Sequence, residues 1–187
     1  MTDTAEFCAR LAAQSGRLAF DVGANIGQAA LVLAARFARV VSFEPALETV
    51  VELDRTRPDN VTIVPAAVSH ADGLVALDET ADGIRHGMLT SGEHPRWGAW
   101  LARRVVPAVT VDTAVVWFGP PDVVKVDTEG HELAVLDGAP RLIADRSAVW
   151  LVEVHYPLED RVRKVFDGYR LTVYPHQPDH FYMEASP

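Results

Sequence analysis

Asp21-Val-Gly23-Ala-Asn25-Ile-Gly27 sets two glycines four positions apart, between an apolar run and an Ala/Leu-rich stretch. Glycines between a strand and a helix let the backbone turn tightly and approach a ligand, and the helix start offers free N–H groups. The spacing is GxxxG, not the GxGxxG of a pyrophosphate-binding turn. A loop this short suits a cofactor without a pyrophosphate, such as S-adenosylmethionine. Asp21, at the strand end, is expected to hydrogen-bond or neutralise the cationic aminoacyl part of that ligand.

Glu44 follows Gly27 by seventeen residues and ends the next β-rich run. A carboxylate there accepts both ribose hydroxyls of an adenosine, and would repel the 2′-phosphate of NADP. Lys125-Val-Asp127-Thr-Glu129-Gly130-His131-Glu132 ends another apolar run. Charged side chains rarely end such a run without a partner or a task. Capping of the next helix accounts for Glu132 but less well for Asp127 and Glu129, which read as functional. In Glu153-Val-His155 the strand period puts Glu153 and His155 on one face. An imidazole there suits general-base work, so His155 is expected as the base, with Glu129 or Glu153 orienting it. The carboxylates of Asp127, Glu129 and Glu153 offer an alternative, a divalent cation that acidifies an acceptor hydroxyl. No spacing rule compels it, and no metal ligand is assigned.

The elements that must position these residues alternate between β-rich and helical runs, the pattern of a parallel sheet covered by helices. Strands are expected at 17–22, 39–44, 61–64, 122–126 and 148–154, with a further one at 74–77 and an extended stretch at 105–111. Helices are expected at 1–16, 26–37, 47–55, from 132 to near Gly138, and 158–166. Residues 169–174 and 181–184 read as an antiparallel hairpin at a sheet edge. Thr80 to Arg96 lacks periodicity and reads as a mobile loop that closes over the site.

At 187 residues the chain is expected to form one domain, 1–187. No apolar run approaches the roughly 20 residues that span a bilayer, and the first dozen residues do not resemble a secretory signal. A cytoplasmic location follows as the expectation. A single cysteine, Cys8, excludes an internal disulfide and reads as helix packing. The formal charge of −9 argues against nucleic-acid binding.

DVGANIG, then FEP, AVS, KVDTEGHE and EVH in that order, resembles the FkbM family of methyltransferases over roughly residues 17 to 157. The resemblance implies a Rossmann-like class I methyltransferase fold, α/β, with seven strands in the order 3-2-1-4-5-7-6 and the last antiparallel. It implies S-adenosylmethionine as cofactor and O-methylation of a hydroxyl on a sugar, glycolipid or natural product, so a small-molecule or glycan acceptor. Asp21, Gly23, Asn25 and Gly27 then look like the cofactor loop, and Glu44 with Pro45 like the ribose end. Ala67 and Val68 lie where such proteins pass the adenine, and Asp127 and Glu129 near the reacting methyl. An NAD-dependent oxidoreductase would need the missing pyrophosphate loop. A non-catalytic Rossmann-like binding module is the other alternative.

Overall fold

The computed structural model describes residues 3–80, 86–87, 100–177 and 180–187. Its elements in chain order are α1 (Asp3–Ala13), β1 (Gly16–Val22), α2 (Gln28–Ala34), β2 (Phe37–Phe43), α3 (Leu47–Thr56) and β3 (Val61–Val64). Then come β4 (Ala67–Val68), β5 (Gly73–Thr80), β6 (His86–Gly87), β7 (Trp100–Val109), α4 (Val111–Phe118) and β8 (Val123–Val126). The chain ends with α5 (Glu132–Asp137), α6 (Pro140–Asp145), β9 (Val149–His155), α7 (Glu159–Val165), β10 (Arg170–Gln177) and β11 (His180–Ser186).

Seven strands form one sheet in the order β10-β11-β9-β8-β1-β2-β3. Counted along the chain this is 3-2-1-4-5-7-6. β1, β2, β3, β8 and β9 are parallel, and β11 runs antiparallel to both β9 and β10. The central strands are apolar on both faces, as buried parallel strands must be. Leu18, Phe20 and Val22 enter one core with Trp150, Val152 and residues of α4 to α7. Ala19 faces the other way, into a core with Phe7 and Leu11 of α1, Leu33 of α2 and Leu53 of α3. Each large side chain buried this completely contributes about 1.5–3 kcal/mol.

Residues 74–77 and 105–111 do not join this sheet as the sequence suggests. β5 and β7 pair antiparallel with each other, in a second sheet ordered β4-β7-β5-β6. Their alternation is one-sided: Leu77, Val106 and Ala108 are buried while Leu74 and Val105 are exposed, as in an antiparallel pair with one solvated face. Val111 opens α4, a helix the β-branched sequence hides. The Thr110 hydroxyl caps it by accepting the Thr113 N–H. α6 was likewise illegible; Pro140 starts it, and the Asp112 carboxylate accepts the N–H groups of Arg141 and Leu142. α2 is shorter than 26–37, because Gly27 turns left-handed at its start (φ 95°) and Phe37 already belongs to β2. Most of the loop expected at 80–96 lies outside the described residues. Among them, no helix is long and apolar enough to cross a membrane.

Candidate active site

The face of the sheet carrying Ala19, Val123 and Leu151 turns ionic toward the carboxyl ends of the strands. Two residues beyond each of these stand Asp21, Lys125 and Glu153, and β9 continues to His155. The strand period therefore delivers an apolar row to the core and a charged row to the crevice where open α/β sheets hold ligands.

Asp21 does not reach that crevice as a free carboxylate. It is fully buried and lies 3.1 Å from the Lys125 Nζ, and accepts a 3.4 Å hydrogen bond from the Ser42 hydroxyl. Lys125 also donates to the carbonyls of Val22 (3.2 Å) and Gly23 (2.7 Å), and its Nζ is 3.7 Å from Asp127. Burial works to lower its pKa, but the Asp21 and Asp127 carboxylates outweigh it and hold the ammonium above its ordinary range. Asp21 thus lies behind the turn, paired with Lys125, and lines neither cavity described below.

The turn itself is tightly fitted. A Cβ on Gly23 (φ 74°) would overlap the Asp127 carbonyl, and one on Gly27 would overlap Leu53 of α3. Gly27 lines neither cavity described below; its absent side chain serves packing. Among the described residues only three non-glycines have positive φ, and two of them, Asn25 (49°) and Glu129 (52°), line the cleft. Such backbone positions persist only where surrounding structure holds them.

A cavity opens between the tips of β1, β2 and β8 and the edge formed by β4. Gly23, Asn25, Glu44, Pro45, Ala67, Val68 and Asp127 line it, with Leu77, Thr128 and Glu129. These are seven of the nine residues expected at the cofactor; Asp21 and Gly27 lie outside it. Glu44 is nearly buried; its Oε2 accepts the Asn25 N–H and its Oε1 the Ala46 N–H, both at 2.9 Å. These bonds fix the carboxylate at the wall of the cavity. A neighbouring cleft of about 650 Å³ shares Gly23, Asn25, Asp127 and Glu129, and continues past Gln28, Lys125 and Glu153 to His180 and Tyr182.

The expected catalytic residues do gather at one end of this cleft. Glu132, read from sequence as a helix cap, is fully buried beneath them. Its Oε1 accepts from the Gly130 N–H (2.8 Å) and stands 3.0 Å from the His155 Nδ1. The Nε2 of His155 faces Glu129 Oε2 at 3.6 Å. Burial opposes the charged ring, but its hydrogen bonds to Glu129 and Glu132 and the charges of Glu132 and Glu153 prevail, pushing its pKa up to about 11. Both nitrogens of His155 are thus turned to carboxylates, where the sequence suggests a ring open to an acceptor. Burial, followed by the charge and hydrogen bonding of Asp127, pushes the Glu153 carboxyl well above the usual range. The Glu153 Oε1 also lies 3.0 Å from the His180 Nε2. His180 was missed in the sequence because only the antiparallel return of β11 brings it opposite His155. Cys8, half-buried on α1, faces the same cleft.

Residues 21–180 match the methyltransferase FkbM domain. The chain belongs to the FkbM methyltransferase family. The hexuronic acid methyltransferase AglP of Haloferax volcanii is 29% identical over 146 residues, which are 76% of this chain and 58% of that protein. The crystal structure of the FkbM methyltransferase from Methylobacillus flagellatus KT aligns at TM-score 0.64 and 19% identity, covering 91% of this chain and 43% of that one. The magnesium protoporphyrin IX methyltransferase of Synechocystis PCC 6803, solved with bound S-adenosylmethionine, has TM-score 0.55 and 14% identity, over 97% of this chain and 76% of that one. The chain thus spans about half the length of AglP and of the Methylobacillus flagellatus protein. The fold shared with them is the class I methyltransferase sheet.

Proposed function

We propose that this FkbM domain transfers the methyl group of S-adenosylmethionine to a hydroxyl oxygen of a sugar-type acceptor. The observation that carries the reading is a pair of adjoining cavities, with Glu44 on the first, the acidic cluster on the second, and Asp127 and Glu129 lining both. Adenosine fits the first part, with the ribose hydroxyls on Glu44 and the base passing Ala67 and Val68. The sulfonium then lies beside Asp127 and Glu129, whose negative charge suits a cation. The hexuronic acid acceptor named for AglP supports the sugar class.

The sulfonium is itself a strong electrophile, so the chain's residues have to align the acceptor and take its proton. Glu129 is the group best placed to do so. Its carboxylate is 38% exposed, turned to both cavities, and held over the strand tips by a strained backbone. The acceptor oxygen forms the new C–O bond, the S–C bond breaks with its electron pair passing to sulfur, and the hydroxyl proton moves to Glu129. His155 orients that carboxylate, and Lys125 holds the turn beneath it.

Titration calorimetry tests the cofactor, with S-adenosylmethionine expected to bind and NAD not. NAD binding alone would favour an oxidoreductase, and binding of neither a scaffold module. For the acceptor, transfer from radiolabelled cofactor to a panel of sugars gives the linkage. A label released by mild alkali would mark a carboxyl ester and reject the hydroxyl reading.

A further inference from the structure

We propose that Glu153, His155 and His180 form a binding site for a divalent transition-metal ion at the inner end of the cleft. Glu153 and His155 stand two apart on β9 and so share a face, and His180 of β11 is the direct cross-strand partner of His155. One donor atom from each lies within 4.8 Å of the others. The two imidazole rings are 5.4 Å apart and tilted by 35°. Bonds of about 2.1 Å to nitrogen and oxygen put neighbouring donors roughly 3–3.5 Å apart, so small side-chain rotations would complete the set.

A second feature points the same way. His155 is held through its Nδ1 by Glu132, a fully buried carboxylate that is itself fixed by the Gly130 N–H. Carboxylates behind an imidazole in this manner orient metal-bound histidines and leave the other ring nitrogen for the ion. Here the remaining nitrogen, Nε2, is turned toward Glu129 in the cleft. Two imidazoles and one carboxylate select zinc, cobalt, manganese or iron over magnesium and calcium, which prefer oxygen-only sets. The three side chains are 9–14% exposed, enough for entry from the cleft and little enough to exclude most competing water. If the cleft is a transferase site as read above, the ion's open positions would hold an acceptor oxygen beside the sulfonium.

The test uses untagged protein stripped with EDTA and dialysed against Co²⁺. One Co²⁺ per chain is expected, with visible absorption bands of a nitrogen- and oxygen-ligated ion. His180→Ala, or His180→Gln if the first is unstable, should weaken binding by about 100-fold. Glu132→Gln should weaken it about 10–100-fold, and His70→Ala should leave it unchanged. Failure to bind Co²⁺, equal affinity for Mg²⁺ and Co²⁺, or Co²⁺ binding indifferent to His180 would each overturn the site. S-adenosylmethionine calorimetry on the stripped protein is read separately. Cofactor binding without Co²⁺ binding removes the ion and keeps the transferase, while Co²⁺ binding without cofactor binding does the reverse.

Discussion

Lys125 has no water to fall back on, and its removal shows what a buried charge costs. With the ammonium gone, Asp21 is left fully buried and uncompensated at 0% exposure. Lys125→Met should therefore destabilise the chain by about 3–5 kcal/mol, and adding Asp21→Asn should recover much of that loss. Urea denaturation of the single and double variants checks both, and a single variant within 1 kcal/mol of the parent would deny the pair its role. Glu129 calls for a kinetic measurement. Glu129→Gln removes the proton acceptor but keeps the side-chain shape, so turnover should fall roughly 10²–10⁴-fold while S-adenosylmethionine affinity stays within a few-fold. Unchanged turnover would move the base elsewhere in the cluster. At this scale the sequence shows which residues carry charge, because Asp21, Asp127, Glu129, Glu153 and His155 end apolar runs. It does not show which charges answer one another. Lys125 and Asp21 are 104 positions apart and meet only through the pairing of β1 with β8.

Among the elements, the parallel strands are readable because burial on both faces leaves continuous apolar runs such as Val149 to Val152. Elements set by local hydrogen bonds are not. α4 is the clear instance: its Val-rich sequence favours a strand, and two side chains ahead of it decide otherwise. The Thr110 hydroxyl caps the helix, and the Asp72 carboxylate accepts the Thr110 N–H and the Thr113 hydroxyl, each at 2.7 Å. Thr110→Ala should cost about 1 kcal/mol, measurable by chemical denaturation. The hydrogen bonds from Thr113 and Thr110 hold the Asp72 carboxyl below its ordinary range. Because the folded value is depressed, its contribution is complete above the unfolded value near ~3.9. It is lost as pH falls through the folded one. The stability difference between the parent chain and Asp72→Asn should therefore be constant near neutrality and shrink below about pH 4. A difference that grows on acidification would contradict this account of the cap. The second sheet was illegible for a related reason: 74–77 and 105–111 have strand character, but nothing local says that they pair with each other.

For the molecule as a whole, the cleft lies where the two sheets meet. Gly23, Glu44 and Asp127 come from the tips of the seven-stranded sheet, while Ala67, Val68 and Leu77 come from the four-stranded one. A ligand seated there touches both, and it does so only when β1, β2, β4, β5 and β8 are all folded. The unfolded chain has no such site, so the cofactor should stabilise the native state by mass action. At a free concentration of 100 times its Kd, the gain is about 2.7 kcal/mol. The loop and Glu44 together predict which ligand does this. S-adenosylmethionine should raise the unfolding temperature in steps with the logarithm of its concentration, and NAD should leave it unmoved. Glu44→Ala gives the internal control. Losing a bond to a charged group should weaken the cofactor by about 1–3 kcal/mol, so the variant should need roughly 5–150 times more ligand for the same thermal shift. Its own unfolding temperature without ligand is measured alongside, because Glu44 also accepts the N–H groups of Asn25 and Ala46. If Glu44→Ala and the parent chain respond to S-adenosylmethionine at the same concentrations, Glu44 does not touch the cofactor. The adenosine would then have to lie elsewhere in the cleft.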